Sequence, residues 1–196
     1  MSKLEKIKEN LLNCFDKLND VLEIELRDEF SIIDHKGQSF IIVSIDYENN
    51  TFTIRQNGQN NMESSFDSTK LFNIENAKGI AFIPIDGKKG LLGFGDSYCD
   101  FIFFDDNDFC FVEFKLNAIS LEERAIRKNR KKAISQLKNT ITLFDEKLSK
   151  NYEGLDLEAY ACEPKTYPDD GWEDFRISFL EEVGIFLSRE TKKNCK

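Results

Sequence analysis

The stretch that decides the fold runs from Tyr98 to Leu116, YCDFIFFDDNDFCFVEFKL. It divides into two runs, Tyr98–Asp105 and Phe109–Leu116, around Asp106-Asn107-Asp108. Asn and Asp favour tight turns because their side chains bond the nearby backbone and tolerate unusual dihedrals. Both runs are apolar at nearly every position, the pattern of strands covered on both faces. The second run nevertheless carries Glu113 and Lys115. Positions i and i+2 of a strand share a face, so these two are neighbours and Phe114 points the other way. Asp100 stands near the start of the first run, between Cys99 and Phe101. In a hairpin turning at 106–108 it comes across from the far end of the second strand, close to Lys115. Three ionisable groups are thus expected to converge within an apolar sheet, where charges rarely sit without a partner or a metal.

After the hairpin, Ile126, Ala133, Ile134, Leu137, Ile141, Phe144 and Leu148 recur at helical spacing and predict a long helix over about 121–148. Leu155–Cys162 reads as a strand, followed by a Pro-containing loop with Trp172, a helix near 173–184 and a short tail, IFLSRE. Trp172 and its aromatic-rich loop are expected to pack rather than to stack on bases. Before the hairpin, residues 3 to about 23 carry an apolar stripe from Leu4 to Leu22 that predicts a helix. Phe30–Asp34, Phe40–Tyr47 and Thr51–Gln56 are rich in β-branched and aromatic residues and predict strands, with a turn at Glu48-Asn49-Asn50. Residues 57–70 are polar and read as a loop. Ile80–Ile85 is a short apolar run that Pro84 assigns to a sheet edge, and Gly87, Gly90, Gly93 and Gly95 suggest a flexible approach to the hairpin. With no repeat and no low-complexity linker, the pattern gives one α/β domain over 1–196: a mixed β-sheet flanked by helices, with an N-terminal helix and β-rich segment.

Composition narrows the chemistry. The chain of 196 residues holds 18 Phe, ample material for a core. No segment approaches the roughly 20 apolar residues that span a bilayer, and the N-terminus lacks the apolar centre of a signal peptide, so no membrane association is expected. The five cysteines are odd in number and widely spaced without a CxxC, which fits reduced thiols in a cytoplasm better than a zinc site or disulfides. A single histidine, His35 in the turn-like IIDHKG, cannot build a His-based metal site and reads as a loop residue. Any chemistry must come from carboxylates and lysines. The net charge of −9 argues against a generic nucleic-acid coat, yet Glu122–Lys138 carries seven basic residues and two acidic ones. That stretch is net +5 and leaves −14 for the remainder. Arg127, Lys128, Lys131 and Lys132 read either as a solvated helix face or as a set that meets phosphates.

Two carboxylates held close repel unless a cation neutralises them. Hard oxygen ligands suit Mg2+ or Mn2+, which keep several waters and share substrate phosphates. A lysine beside such an ion can orient or help deprotonate a water and steady charge on a phosphate. Asp100 and Glu113 with Lys115 therefore form a toolkit for phosphodiester hydrolysis. The competing reading is a same-face salt bridge between Glu113 and Lys115 at a solvated sheet edge.

Asp100, twelve residues, then Glu113-Phe114-Lys115, on a hairpin followed by a basic helix, resembles the PD-(D/E)XK nuclease superfamily over roughly residues 95–165. The resemblance implies a restriction-endonuclease-like core over about 80–187, with 1–75 as an N-terminal helix and β-rich extension. It implies that Asp100 and Glu113 hold Mg2+ or Mn2+ and that Lys115 is the catalytic lysine. Gln136 takes the place of a polar helix residue near the site, although the Gln-x-x-x-Tyr pattern of some members would need Tyr where Thr140 stands. Cys99 replaces the family's nominal proline, and the extra acidic residue often supplied by the first helix is left open among Glu5, Glu9, Glu23 and others. The activity implied is a metal-dependent nuclease, acting on DNA ahead of RNA, in restriction or anti-phage defence, as a homodimer or within a larger complex. The alternative is an inactive nuclease-fold subunit that binds or regulates.

Overall fold

The computed structural model describes residues 1–56, 58–93 and 98–196. Helix α1 (Lys3–Cys14) starts where the Ser2 hydroxyl accepts the Glu5 N–H at 3.2 Å and buries Ile7 and Leu11. The stripe read over 3–23 is broken at Phe15, which is extended, before the short α2 (Leu18–Val21). Strand β1 (Glu23–Glu25) follows, then β2 (Phe30–Asp34), β3 (Ser39–Asp46), β4 (Thr51–Gln56), β5 (Gln59–Ser64) and β6 (Leu71–Glu75). The central elements are β7 (Ile80–Pro84), β8 (Phe101–Phe104), β9 (Asp108–Phe114), α3 (Glu123–Leu148) and β10 (Asp156–Cys162). The chain ends with α4 (Trp172–Val183), β11 (Phe186–Ser188) and β12 (Lys192–Asn194).

The strands form two mixed six-stranded sheets, ordered β1-β7-β8-β9-β10-β11 and β12-β6-β2-β3-β4-β5. The α/β class and the helix-flanked mixed sheet expected from the pattern are both present. In the first sheet β9 runs antiparallel to β8 and parallel to β10, which runs parallel to β11. Its two faces are sorted by the alternation of side chains. Ile102, Phe104, Phe109 and Phe111 pack with α1, α3 and α4, whereas Phe101, Phe103, Cys110 and Val112 pack with the second sheet. Phe72 of β6 lies 5.8 Å from the rings of Phe101 and Phe103 and 5.2 Å from that of Tyr160. With both faces covered, β8 and β9 are buried along their whole length, as their unbroken apolar runs required. The segment 1–75 is divided accordingly. Its helices and β1 join the first sheet, and β2 to β6 build the second.

Several expectations are corrected. The described part of 57–70 is not one loop: Gln59–Ser64 pairs with β4 throughout, and a 3-10 turn spans Ser68–Lys70, while residue 57 lies outside the described residues. Its side chains are polar because β5 is the outer strand of its sheet, with mostly exposed or half-buried residues. Pro84 does not mark an edge. Strand β7 lies between β1 and β8, and Pro84 is its last residue. The tail IFLSRE contains β11, and β12 follows it. Gly87, Gly90 and Gly93 are fixed in a tight loop in which Leu91 and Leu92 donate to the carbonyls of Pro84 and Ile85 at 2.8 and 3.0 Å. A Cβ on Gly90 would lie 2.4 Å from the Ile85 and Asp86 carbonyl oxygens, so only glycine fits. Gly95 lies outside the described residues.

Candidate functional site

The hairpin turn is set by Asp105, whose Oδ1 accepts the N–H groups of Asn107 and Asp108 at 2.7 and 2.8 Å. From that turn the register runs Phe104 opposite Phe109 to Phe101 opposite Val112. One step further along the same register, Asp100 comes opposite Glu113, two residues before Lys115, at the far end of the second strand as expected. The Asp100 carboxylate accepts the Phe114 N–H. Lys115 extends the β9–β10 pairing by donating its N–H to the Cys162 carbonyl at 2.8 Å.

Glu113 is 1 % exposed on an interior strand, which rules out a salt bridge at a solvated edge. Lys115 Nζ donates to Glu113 Oε1, to Gln136 Oε1 at 3.0 Å and to the Phe114 carbonyl at 3.3 Å. Gln136 is itself anchored from α3, donating through Nε2 to the Tyr98 carbonyl at 2.9 Å. Thr140, one turn further on, donates to the Gln136 carbonyl at 2.9 Å and accepts the Cys99 N–H at 2.8 Å. The helix thus clamps the backbone just ahead of Asp100. All four sequence-selected residues, Asp100, Glu113, Lys115 and Gln136, come together.

Glu113 Oε2 is buried without a hydrogen-bond partner among the described residues. Burial, with the Asp100 charge next in weight, pushes the Glu113 carboxyl well above the usual carboxylate range. Asp100 retains some solvent contact as a residue, but its carboxyl is crowded by protein. That burial pushes it up to about 7, against the Phe114 N–H and Lys115, which favour its charged form. Asp34 and Asp86 push it further up. Asp34, at the end of β2, is raised in its turn by burial, and its Oδ1 is buried without a partner among the described residues. Sequence reading missed both aspartates. Asp34 lies in the IIDHKG stretch, where the lone His35 is the conspicuous residue. Glu5 pairs with Lys8 on α1 at 2.8 Å and Glu9 is exposed, and the further acids that act on Asp100, Asp34 and Asp86, come from β2 and the loop after β7 rather than from the first helix.

Arg127, Lys128, Lys131 and Lys132 are exposed on α3. Lys132 precedes Gln136 by four residues and Lys128 precedes Lys132 by four, so a basic row runs from the site toward the helix N-terminus. Arg130 departs from the outward-facing set. It is 3 % exposed, bonds both Glu163 oxygens at 2.7 and 3.0 Å and the carbonyls of Asp170 and Pro168 at 2.7 Å, and lies 5.6 Å from the Trp172 ring. Trp172 is therefore buried in packing, as expected. All five cysteines are free.

Among the described residues, no group of three or more His, Cys, Asp or Glu side chains is arranged to hold a metal ion, and no helix is long and apolar enough to cross a membrane. No family model, no characterised protein and no solved structure matches the chain.

Proposed function

We propose that the chain is a divalent-metal-dependent nuclease of the PD-(D/E)XK type with a restriction-endonuclease-like core, acting on DNA ahead of RNA. The observation that carries this reading is the buried Glu113 carboxyl, with Oε2 unpartnered, opposite Asp100 and beside Lys115. Lys115 and the Phe114 N–H compensate the two carboxyls only in part, and a carboxyl oxygen left unpartnered inside a protein costs stability. The donor set suits a hard cation that keeps part of its water shell, with Asp100 and Glu113 as the residues to hold Mg2+ or Mn2+. Bound there, such an ion supplies charge neutralisation at the phosphate and a more acidic water.

The chain's own groups supply the remainder. Lys115 places an ammonium where it can orient the attacking water and steady charge on the phosphate, while Gln136 holds that ammonium in line. Phe111 and Ile102, next along the Glu113 face of the sheet, are buried and apolar, which limits water and strengthens each electrostatic interaction. The row Lys128–Lys132 offers phosphate contacts leading toward the site. Cutting both strands of a duplex would call for two copies of the site, in keeping with a homodimer.

A second reading, an inactive nuclease-fold binding subunit, draws on the closure of Lys115 onto Glu113 and the absence of a third converging ligand among the described residues. Calorimetric titration with Mn2+ separates the two. Saturable binding that Asp100→Ala removes is expected of the nuclease, and no binding to the parent protein would leave the inactive subunit.

A further inference from the structure

A cleft of about 660 Å³ opens between α2 and β1 on one side and β3 and the loop after β7 on the other. Its size is that of a small-molecule site. Lys17, Lys88 and Lys89 stand exposed around it, and among the described residues none of the three has an ion-pair partner. Ser39, 2 % exposed, and Glu23 stand in its wall, and their buried Oγ and Oε2 have no hydrogen-bond partner among the described residues. Leu22, Phe40 and Pro84 add apolar wall. Asp20 sits among the exposed lysines as an opposing charge.

The cleft and the carboxylates share a partition. Gln38 donates to the Asp86 carbonyl at 3.2 Å and accepts the Lys89 N–H at 2.8 Å, so the β2–β3 turn and the lysine loop are tied together. Asp34 and Asp86, the two aspartates that act on Asp100, sit on this same turn and loop. A Cβ on Gly87 would lie 2.5 Å from the Gln38 Oε1 and the Gly37 carbonyl, which shows how closely turn and loop are packed.

We propose that this cleft is a nucleotide subsite, taking one nucleotide of a nucleic-acid strand with its phosphate on Lys88 and Lys89 and its base inside against Phe40, Ser39 and Glu23. Unpaired cations at the mouth call for an anion. Unpartnered polar atoms between apolar walls call for a flat group with donors and acceptors on its edge, and a nucleotide combines the two. Burial raises the Glu23 carboxyl to about 7, leaving it able to donate as well as accept. The proposal deepens the nuclease reading, since a strand with one phosphate at Asp100 and Glu113 would lay an adjoining nucleotide across the Gln38 partition.

The test is binding of nucleoside 5′-monophosphates and of inorganic phosphate, measured by calorimetry in EDTA so that no cleavage intervenes. The parent protein should bind nucleotides more tightly than phosphate. Lys88→Ala with Lys89→Ala should weaken nucleotide binding about tenfold or more, the scale of charge-assisted hydrogen bonds to a phosphate. Ser39→Ala, which removes only an unpartnered oxygen, should weaken nucleotides and spare phosphate, and Lys165→Ala, far from the cleft in sequence, should change neither. Nucleotides bound no better than phosphate, or unaffected by the double substitution, would overturn the subsite. Nucleotide binding without cleavage of any nucleic acid supports the subsite and removes the nuclease reading, whereas cleavage without nucleotide binding does the reverse.

Discussion

Lys115 Nζ lies 3.0 Å from Gln136 Oε1, a hydrogen bond that joins the end of β9 to the middle of α3. The amide fixes the direction of the ammonium beside Glu113. Gln136→Leu removes that guidance while keeping bulk next to Thr140. Nuclease activity should then fall by about 10- to 100-fold, the scale of a positioning interaction with a proton-transfer group. The melting temperature should fall, because the Tyr98 carbonyl loses its donor, while Mn2+ affinity should change little. Activity equal to the parent's would show that Gln136 does not position the lysine.

The carboxylates give a pH dependence whose sign is fixed by the Asp100 shift. Asp100 is pushed up to about 7 in the fold, above its ordinary value of about 3.9. The folded state therefore holds this proton more tightly than the unfolded state. The stabilisation is complete below about pH 4 and is lost as pH rises through about 7. Asp100→Asn keeps an acceptor for the Phe114 N–H and cannot ionise. Without divalent ions it should melt above the parent at pH 8, by roughly 2–4 °C for each kcal/mol recovered, and match it more closely at pH 4.5. Equal melting profiles of the two proteins across that range would contradict the Asp100 assignment.

Much of this site was legible in the sequence because charges in an unbroken apolar strand leave few explanations. Glu113 and Lys115 could be placed on one face from spacing alone, and turn chemistry at 106–108 brought Asp100 to the far end of their strand, where it stands opposite Glu113. Arg130 was not legible, since nothing in RKNRKK separates the one buried arginine from its exposed neighbours. Its partner Glu163 lies 33 residues away in sequence. Strand β5 was missed because polar residues fit an outer strand as well as a loop. Asp34 and Asp86 were missed because they come from segments that only tertiary packing brings against the hairpin.

Arg130 and Glu163 supply a stability test independent of function. Both side chains are nearly inaccessible, at 3 and 5 % exposure. Glu163→Ala leaves a buried guanidinium with only the Pro168 and Asp170 carbonyls as acceptors, a loss of about 3–5 kcal/mol. Chemical denaturation should report a shift of that size with an unchanged dependence on denaturant. A loss below about 1 kcal/mol would mean that the two carbonyls satisfy Arg130 on their own.

The α3 row is tested by salt. Replacing Lys128, Lys131 and Lys132 with Glu should weaken nucleic-acid binding and flatten the dependence of log K on log salt, by about 0.9 for each duplex phosphate that the variant no longer neutralises. The parental slope in the triple variant would leave the row as a solvated face.

The central claim is phosphodiester hydrolysis at Asp100, Glu113 and Lys115. Incubation of the purified protein with plasmid, linear duplex, single-stranded DNA and RNA in Mg2+ or Mn2+ tests it most directly. Lys115→Ala and Glu113→Gln are run beside the parent. The account predicts cleavage that requires the divalent ion, favours DNA, disappears in Lys115→Ala with its fold intact, and disappears in Glu113→Gln together with metal affinity. Cleavage by Lys115→Ala at the parental rate, or a well-folded parent that cuts none of the four substrates with either ion, would contradict it.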